Sequence, residues 1–167
     1  MMIRIVLLAA LALSFPAQAA AQSSVFVVRH AERTDTGTGV TPVTGADPDL
    51  SAAGHLRAAS LAAMLKDAGI TAIYATQYRR TQQTAAPLAA ALGVTVVSIP
   101  SADTAQLVAK LKAAPGNVLV VGHSNTVPDV IKGLGVDAPV TVAESEFDNL
   151  FIVTRGETPT LVRLHYK

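Results

Sequence analysis

Three short stretches hold side chains able to handle an anion: Arg29-His30, Arg79-Arg80 and His123-Ser124-Asn125. If Arg29, His30, Arg80 and His123 met at one point, they would bring together two guanidinium groups and two imidazoles. Guanidinium forks match the geometry and charge of phosphoryl oxygens. A neutral imidazole aimed at phosphorus can attack it and carry the group as phosphohistidine. Phosphoryl transfer rests mainly on placement and on neutralising the equatorial oxygens. These four groups can do both, so the reading calls for neither a metal nor a cofactor. Backbone N–H groups at a helix start after His123 would add donors for a phosphate oxygen.

Each stretch needs a rigid element behind it, and the sequence supplies one. Val25–Val28 is an unbroken apolar run, which reads as a strand buried on both faces. Ile70–Ala75, Val94–Ile99 and Asn117–Val121 read as further strands. Leu150–Thr154 and Thr160–His165 read as a closing pair around Arg155-Gly156-Glu157. Between them lie helical stretches. One is capped by Ser51, with Leu56, Leu61, Met64, Leu65 and Ala68 as its expected buried stripe and Gly69 as its stop. Others run from Arg80 to Leu92, with a kink or restart expected at Pro87, and from Asp103 to Ala113. The last begins near Thr126–Pro128 and ends at Gly133-Leu134-Gly135. Strands alternating with helices predict a three-layer α/β/α fold around a mostly parallel sheet. Ligands of such sheets bind beyond the carboxyl ends of the strands, where Arg29-His30, Arg79-Arg80 and His123-Ser124 fall. Thr34 to Asp49, rich in Thr, Gly, Asp and Pro, reads as a long functional flap.

The chain has 167 residues and no cysteine, which excludes disulfides and thiolate chemistry. Residues 1–21 resemble a cleavable signal peptide: Arg4, an apolar run from Ile5 to Leu13, then small residues that fit a cleavage site. The run is too short to span a membrane, which takes about 20 residues. The expectation is therefore a single domain over 22–167, periplasmic or secreted, with no stable membrane association. Of the 13 basic and 12 acidic residues only Arg4 lies in the leader, so the remainder balances at 12 against 12. That neutrality argues against a nucleic-acid partner and for a small phosphorylated substrate held by local cations.

VVRHAE, LSAAG, YRRTQQTA and VVGHSNT occur in this order along the chain. In order and spacing they resemble the motifs of the histidine phosphatase superfamily, which has the phosphoglycerate mutase-like fold. The resemblance spans nearly all of 22–167 and implies specific roles. His30 would accept the phosphoryl group; Arg29 and Arg80 would bind it. His123 would stabilise the transition state beside Ser124 and Asn125. LSAAG would be structural. Two departures stand out. Ala31 follows His30 where many members carry Gly. The proton donor that larger members place in an insertion has no counterpart from Pro87 to Ser101, so the chain resembles the short, insertion-free members. Some of these hydrolyse phosphohistidine, whose nitrogen leaving group needs less acid help. A phosphate ester needs a donor, and Glu32, Asp103 and Glu146 are the candidates in that order. Hydrolysis is expected over mutase chemistry, because the chain is short for the covering a mutase needs.

Other readings remain open at this stage. Gly122-His123-Ser124-Asn125-Thr126 resembles a nucleophile elbow, with Asp148 and His165 following in Ser…Asp…His order. That would make a serine hydrolase, but it leaves Arg29, His30 and Arg80 unused. A non-catalytic phosphate-ligand binding module is the other alternative. Glu144, Glu146 and Asp148 form either a solvated loop or part of the pocket. His55, His165 and Arg79 read as surface or structural residues, Arg79 in a salt bridge.

Overall fold

A computed structural model describes residues 22–35 and 47–167. The expected signal peptide, residues 1–21, and most of the expected flap, residues 36–46, lie outside the described residues. Among the described residues no helix is long and apolar enough to cross a membrane.

The elements run β1 Ser24–Arg29, α1 Ala52–Leu65, β2 Ile70–Thr76, α2 Arg79–Leu92, β3 Val96–Ile99, α3 Thr104–Ala113, β4 Asn117–Gly122, α4 Thr126–Gly133, β5 Asn149–Thr154 and β6 Thr160–His165. Among the described residues they form one six-stranded sheet, ordered β3-β2-β4-β1-β5-β6. β1 to β4 are mutually parallel, and β5 runs antiparallel to both β1 and β6.

The apolar run of β1 is explained by what covers each face. Val25 and Val27 join Val118, Val120 and Phe151 under α3 and α4 through Leu107, Leu111, Val130 and Ile131. Phe26 and Val28 join Leu119, Val121 and Leu150 under α1 and α2 through Leu61, Leu65 and Leu88. Alternate residues of one strand thus serve opposite cores, and burying each contributes about 1.5–3 kcal/mol. β1 and β4 are therefore fixed from both sides.

Pairing register then decides what meets at their ends. Arg29 lies opposite Gly122, and the His30 N–H donates to the Gly122 carbonyl at 2.9 Å. One residue further on, His30 and His123 leave the sheet side by side. β2 pairs with β4 through Ala75 and Val121, so Thr76 ends next to them.

α1 departs from its expected stripe. Leu56 and Met64 are 75% and 46% exposed, whereas Gly54, Ala58, Leu61, Ala62 and Leu65 are buried. The cause is close approach. A Cβ on Gly54 would stand 2.2 Å from the Glu32 carbonyl oxygen, so small residues form that contact. Ser51 caps α1 as expected, accepting from the Gly54 N–H at 3.1 Å. α1 ends at Leu65, and Gly69 falls in the following turn with φ +64°. α2 runs through Pro87 as one helix, with no restart. β3 starts at Val96, two residues later than expected.

Candidate active site

The strand ends open into a cleft of about 470 Å³, lined by Arg29, His30, Arg33, Tyr78, Arg80, Ser101, Ala102, His123, Ser124, Asn125, Thr126 and Glu144. The structure thus brings together Arg29, His30, Arg80, His123, Ser124 and Asn125, as the sequence suggested. Arg33 and Tyr78 are among the additions, and Glu144, which the sequence left between loop and pocket, falls in the pocket.

His30 is buried at 3% exposure. Its Nδ1 lies 2.7 Å from the Ala31 carbonyl oxygen. A carbonyl only accepts, so Nδ1 carries the proton and Nε2 keeps its lone pair. Burial, with help from Arg29, His123 and Arg80, pulls the ring down to about 3 against the opposing pull of the Ala31 carbonyl. The imidazole is therefore neutral and nucleophilic at ordinary pH.

The His123 ring stands 5.4 Å from the His30 ring, centroid to centroid, in an edge-on arrangement. Its Nε2 is braced by the Thr76 hydroxyl at 2.9 Å, and its backbone N–H donates to Thr126 Oγ1 at 2.8 Å. With Nε2 held, Nδ1 is the ring nitrogen left to meet a ligand. Burial first, then Arg80, Arg29 and Arg33, lower His123 to about 4.

Arg29 is fixed by three acceptors. Nη1 donates to the carbonyls of Ala143 at 2.8 Å and Glu146 at 3.2 Å, and Nη2 donates to Glu144 Oε2 at 2.6 Å. Its guanidinium carbon lies 4.3 Å over the Phe147 ring. Arg80 lies 4.2 Å over Tyr78, with Nη1 3.4 Å from Asp47 Oδ1. The Nε–H of Arg29 and that of Arg80 are buried with no hydrogen-bond partner among the described residues. Buried guanidinium donors left unpaired are costly, and an anion in the cleft is the ligand that would pair them.

Thr84, in the YRRTQQTA stretch, ties the two halves of the cradle together. Its hydroxyl accepts from the Ala31 N–H at 3.0 Å and donates to the Arg80 carbonyl at 2.7 Å. The exit of β1 is thereby linked to the first turn of α2. Arg79 points away and pairs with Asp49 at 2.7 Å, as expected of it.

The three expected proton donors fall elsewhere. Glu32 turns from the cleft into a fork with Arg57, at 2.9 Å from Nε and 2.6 Å from Nη2. Burial pushes its carboxyl up, but the hydrogen bonds and charge of Arg57 hold it below the ordinary range, so it is ionised. Asp103 sits at the start of α3 and does not line the cleft. Glu146 spends its carboxylate on the Ala143 N–H at 2.8 Å and on Arg163 at 3.3 Å; only its carbonyl serves the site. Glu144 is the acid that reaches the cleft. Its two oxygens meet Arg29 Nη2 and the Ser124 hydroxyl. The signal available for it was the acidic run ESEFDN just before β5.

The elbow alternative finds no triad. Ser124 donates to Glu144, while His165 and Asp148 pair with each other at 3.1 Å and line a different pocket.

The family model described as "Histidine phosphatase superfamily (branch 1)" matches residues 25–103, a span that includes Arg29, His30 and Arg80. Solved structures share the fold over almost their whole length. The protein histidine phosphatase SixA, complexed with tungstate, is 20% identical, with 85% of this chain and 96% of that chain covered and a TM-score of 0.67. The alpha-ribazole phosphatase from Shigella flexneri is 17% identical, with 85% and 96% covered and a TM-score of 0.69. A mycobacterial glucosyl-3-phosphoglycerate phosphatase in complex with VO3 is 16% identical, with 84% and 97% covered and a TM-score of 0.67. The search of curated proteins found no match.

Proposed function

This chain belongs to the histidine phosphatase superfamily (branch 1), and on that premise we propose that it is a metal-independent phosphatase working through a phosphohistidine on His30. The observation that carries the reading is the pairing of a neutral His30, with Nε2 unprotonated, and His123 in one cleft with Arg29 and Arg80. Nε2 attacks phosphorus while the guanidiniums and the His123 ring take the charge that builds on the equatorial oxygens. Water then attacks the phosphohistidine and frees inorganic phosphate.

The substrate is a phosphomonoester or a related phosphorylated compound. The similar structures bear the names of three different phosphatases, so the family premise supports the reaction and leaves the substrate open. The leader-like residues 1–21 support export, with the domain over 22–167 acting in the periplasm or outside the cell.

Turnover of 4-nitrophenyl phosphate in the presence of a chelator tests the reading. The wild-type chain should hydrolyse it, and His30→Ala should lose at least about 10³-fold in kcat. Full activity in His30→Ala would refute it. Tight phosphate binding without any turnover would instead favour the binding-module alternative.

A further inference from the structure

We propose that Glu144 is the general acid of this cleft, freed to protonate the leaving group when the phosphoryl group takes its place on Arg29. The inference rests on the phosphatase reading above.

Among the described residues lining the cleft, Glu144 is the only carboxyl. The nearby acids are committed: Asp35 to Arg33 at 2.8 Å, and Asp47 to the Arg79 N–H at 3.0 Å and to Arg80. Glu144 also stands where an oxyanion would bind. Both hydrogens of Arg29 Nη1 go to the carbonyls of Ala143 and Glu146. A phosphoryl oxygen can therefore reach Arg29 only along its other edge, through the unpaired Nε and through Nη2. Nη2 is the atom that Glu144 holds at 2.6 Å. A phosphoryl dianion seated on Nε and Nη2 therefore meets the Glu144 carboxylate at close range, and the repulsion between like charges pushes the carboxylate off Arg29.

Displacement leaves the carboxyl in a useful place. His30 is at the cleft floor and 3% exposed, whereas the Glu144 side chain is 80% exposed at the rim. In-line attack from His30 points the leaving group away from the floor, toward that rim. Ser124, whose hydroxyl donates to the other carboxylate oxygen, tethers Glu144 there.

Electrostatics run the same way. In the empty cleft the Ser124 hydrogen bond and then Arg29 and Arg33, against burial, hold the Glu144 carboxyl below its ordinary range. Losing Arg29 to a phosphoryl dianion removes a cation and adds a like charge, and both changes favour the protonated form. The acid is loaded by the arrival of its substrate. The His30 Nε2–P bond then forms and the P–O bond to the leaving group breaks. The released electron pair stays on the leaving oxygen, which takes the Glu144 proton. In the second half the Glu144 carboxylate accepts a proton from the attacking water. The N–P bond breaks, and its electron pair returns to Nε2.

A series of phosphate monoesters, from 4-nitrophenyl phosphate through phenyl phosphate to an alkyl phosphate, tests the role in wild type, Glu144→Gln, Glu144→Asp and His30→Ala. 4-Nitrophenolate leaves without a proton; an alkoxide does not. In kcat/KM, which reports the steps through phosphoryl transfer to His30, Glu144→Gln should lose about 10²–10³-fold more on the alkyl ester than on the nitrophenyl ester. Glu144→Asp should recover part of the loss. An equal loss along the series would make Glu144 a positioning partner of Arg29 and overturn the proposal, as would no loss at all. Those results leave the phosphatase reading standing if wild type turns over and His30→Ala does not. A wild type inactive on every ester, or a His30→Ala that matches it, takes both readings down.

Discussion

Two glutamate–arginine pairs flank the exit of β1, with the same closest distance and opposite consequences. Glu32 and Arg57 meet at 2.6 Å with side chains 20% and 21% exposed. Glu144 and Arg29 also meet at 2.6 Å, but the glutamate is 80% exposed and the arginine 4%. In the first pair Arg57 offers its Nε and Nη2 edge as a fork to one carboxylate, and its Nη1 goes to the Tyr166 carbonyl at 3.0 Å. The Nε–Nη2 edge of Arg57 is taken up by Glu32. In the second pair only Nη2 meets the carboxylate, and the Nε beside it stays unpaired. A closed fork is a brace. A half-closed fork under an exposed carboxylate keeps a donor for an anion.

Removing each arginine should expose that difference. Arg29→Ala should cut kcat/KM on any phosphomonoester by about 10²–10³-fold, as the loss of a main oxyanion donor does. A fall of less than about 3-fold would erase the distinction between the pairs. Arg57→Ala should do the reverse in thermal melts. It strands Glu32 half-buried and should cost about 1–3 kcal/mol of stability, with kcat/KM within about 3-fold of wild type. A large kinetic effect with an unchanged Tm would move Glu32 back into the chemistry.

A smaller effect concerns the rings between the two pairs. His30 and His123 are lowered to about 3 and about 4, against about 6.5 in an unfolded chain. The unfolded state therefore binds protons that the folded state refuses. This contribution is intact above about pH 6.5 and is lost as pH falls from there toward 3–4. Acidification from pH 7.5 to 4.5 should lower Tm by about 4 °C more in wild type than in His123→Asn. Equal losses would assign the acid sensitivity to the carboxylates.

Much of this was legible in the sequence. Unbroken runs such as VFVV and VLVV announce strands covered on both faces, and Arg-His or His-Ser after them announces a loaded strand end. What could not be read was pairing across distance. Glu32 headed the candidate donors, and it lies two residues from His30. Its orientation is set by Arg57, 25 residues on in α1, and by Gly54 pressed against its carbonyl. The sequence left Glu144 between a solvated loop and the pocket for the opposite reason, since it enters the cleft from a loop more than 100 residues after His30 through contacts with Arg29 and Ser124. Leu56 and Met64 were misplaced because size suggests burial, while a close helix contact selects Gly and Ala. The Arg29–Gly122 register, which sets the two imidazoles side by side, leaves no local signal at all.

Rapid quenching of wild-type chain during turnover of a 32P-labelled phosphomonoester, with the label mapped by mass spectrometry, looks for the phosphohistidine itself. An acid-labile, base-stable phosphate should appear on the peptide that carries His30 and be absent in His30→Ala. Label on Ser124 in acid-stable form, or steady turnover with no labelled protein at any time, would contradict the phosphohistidine.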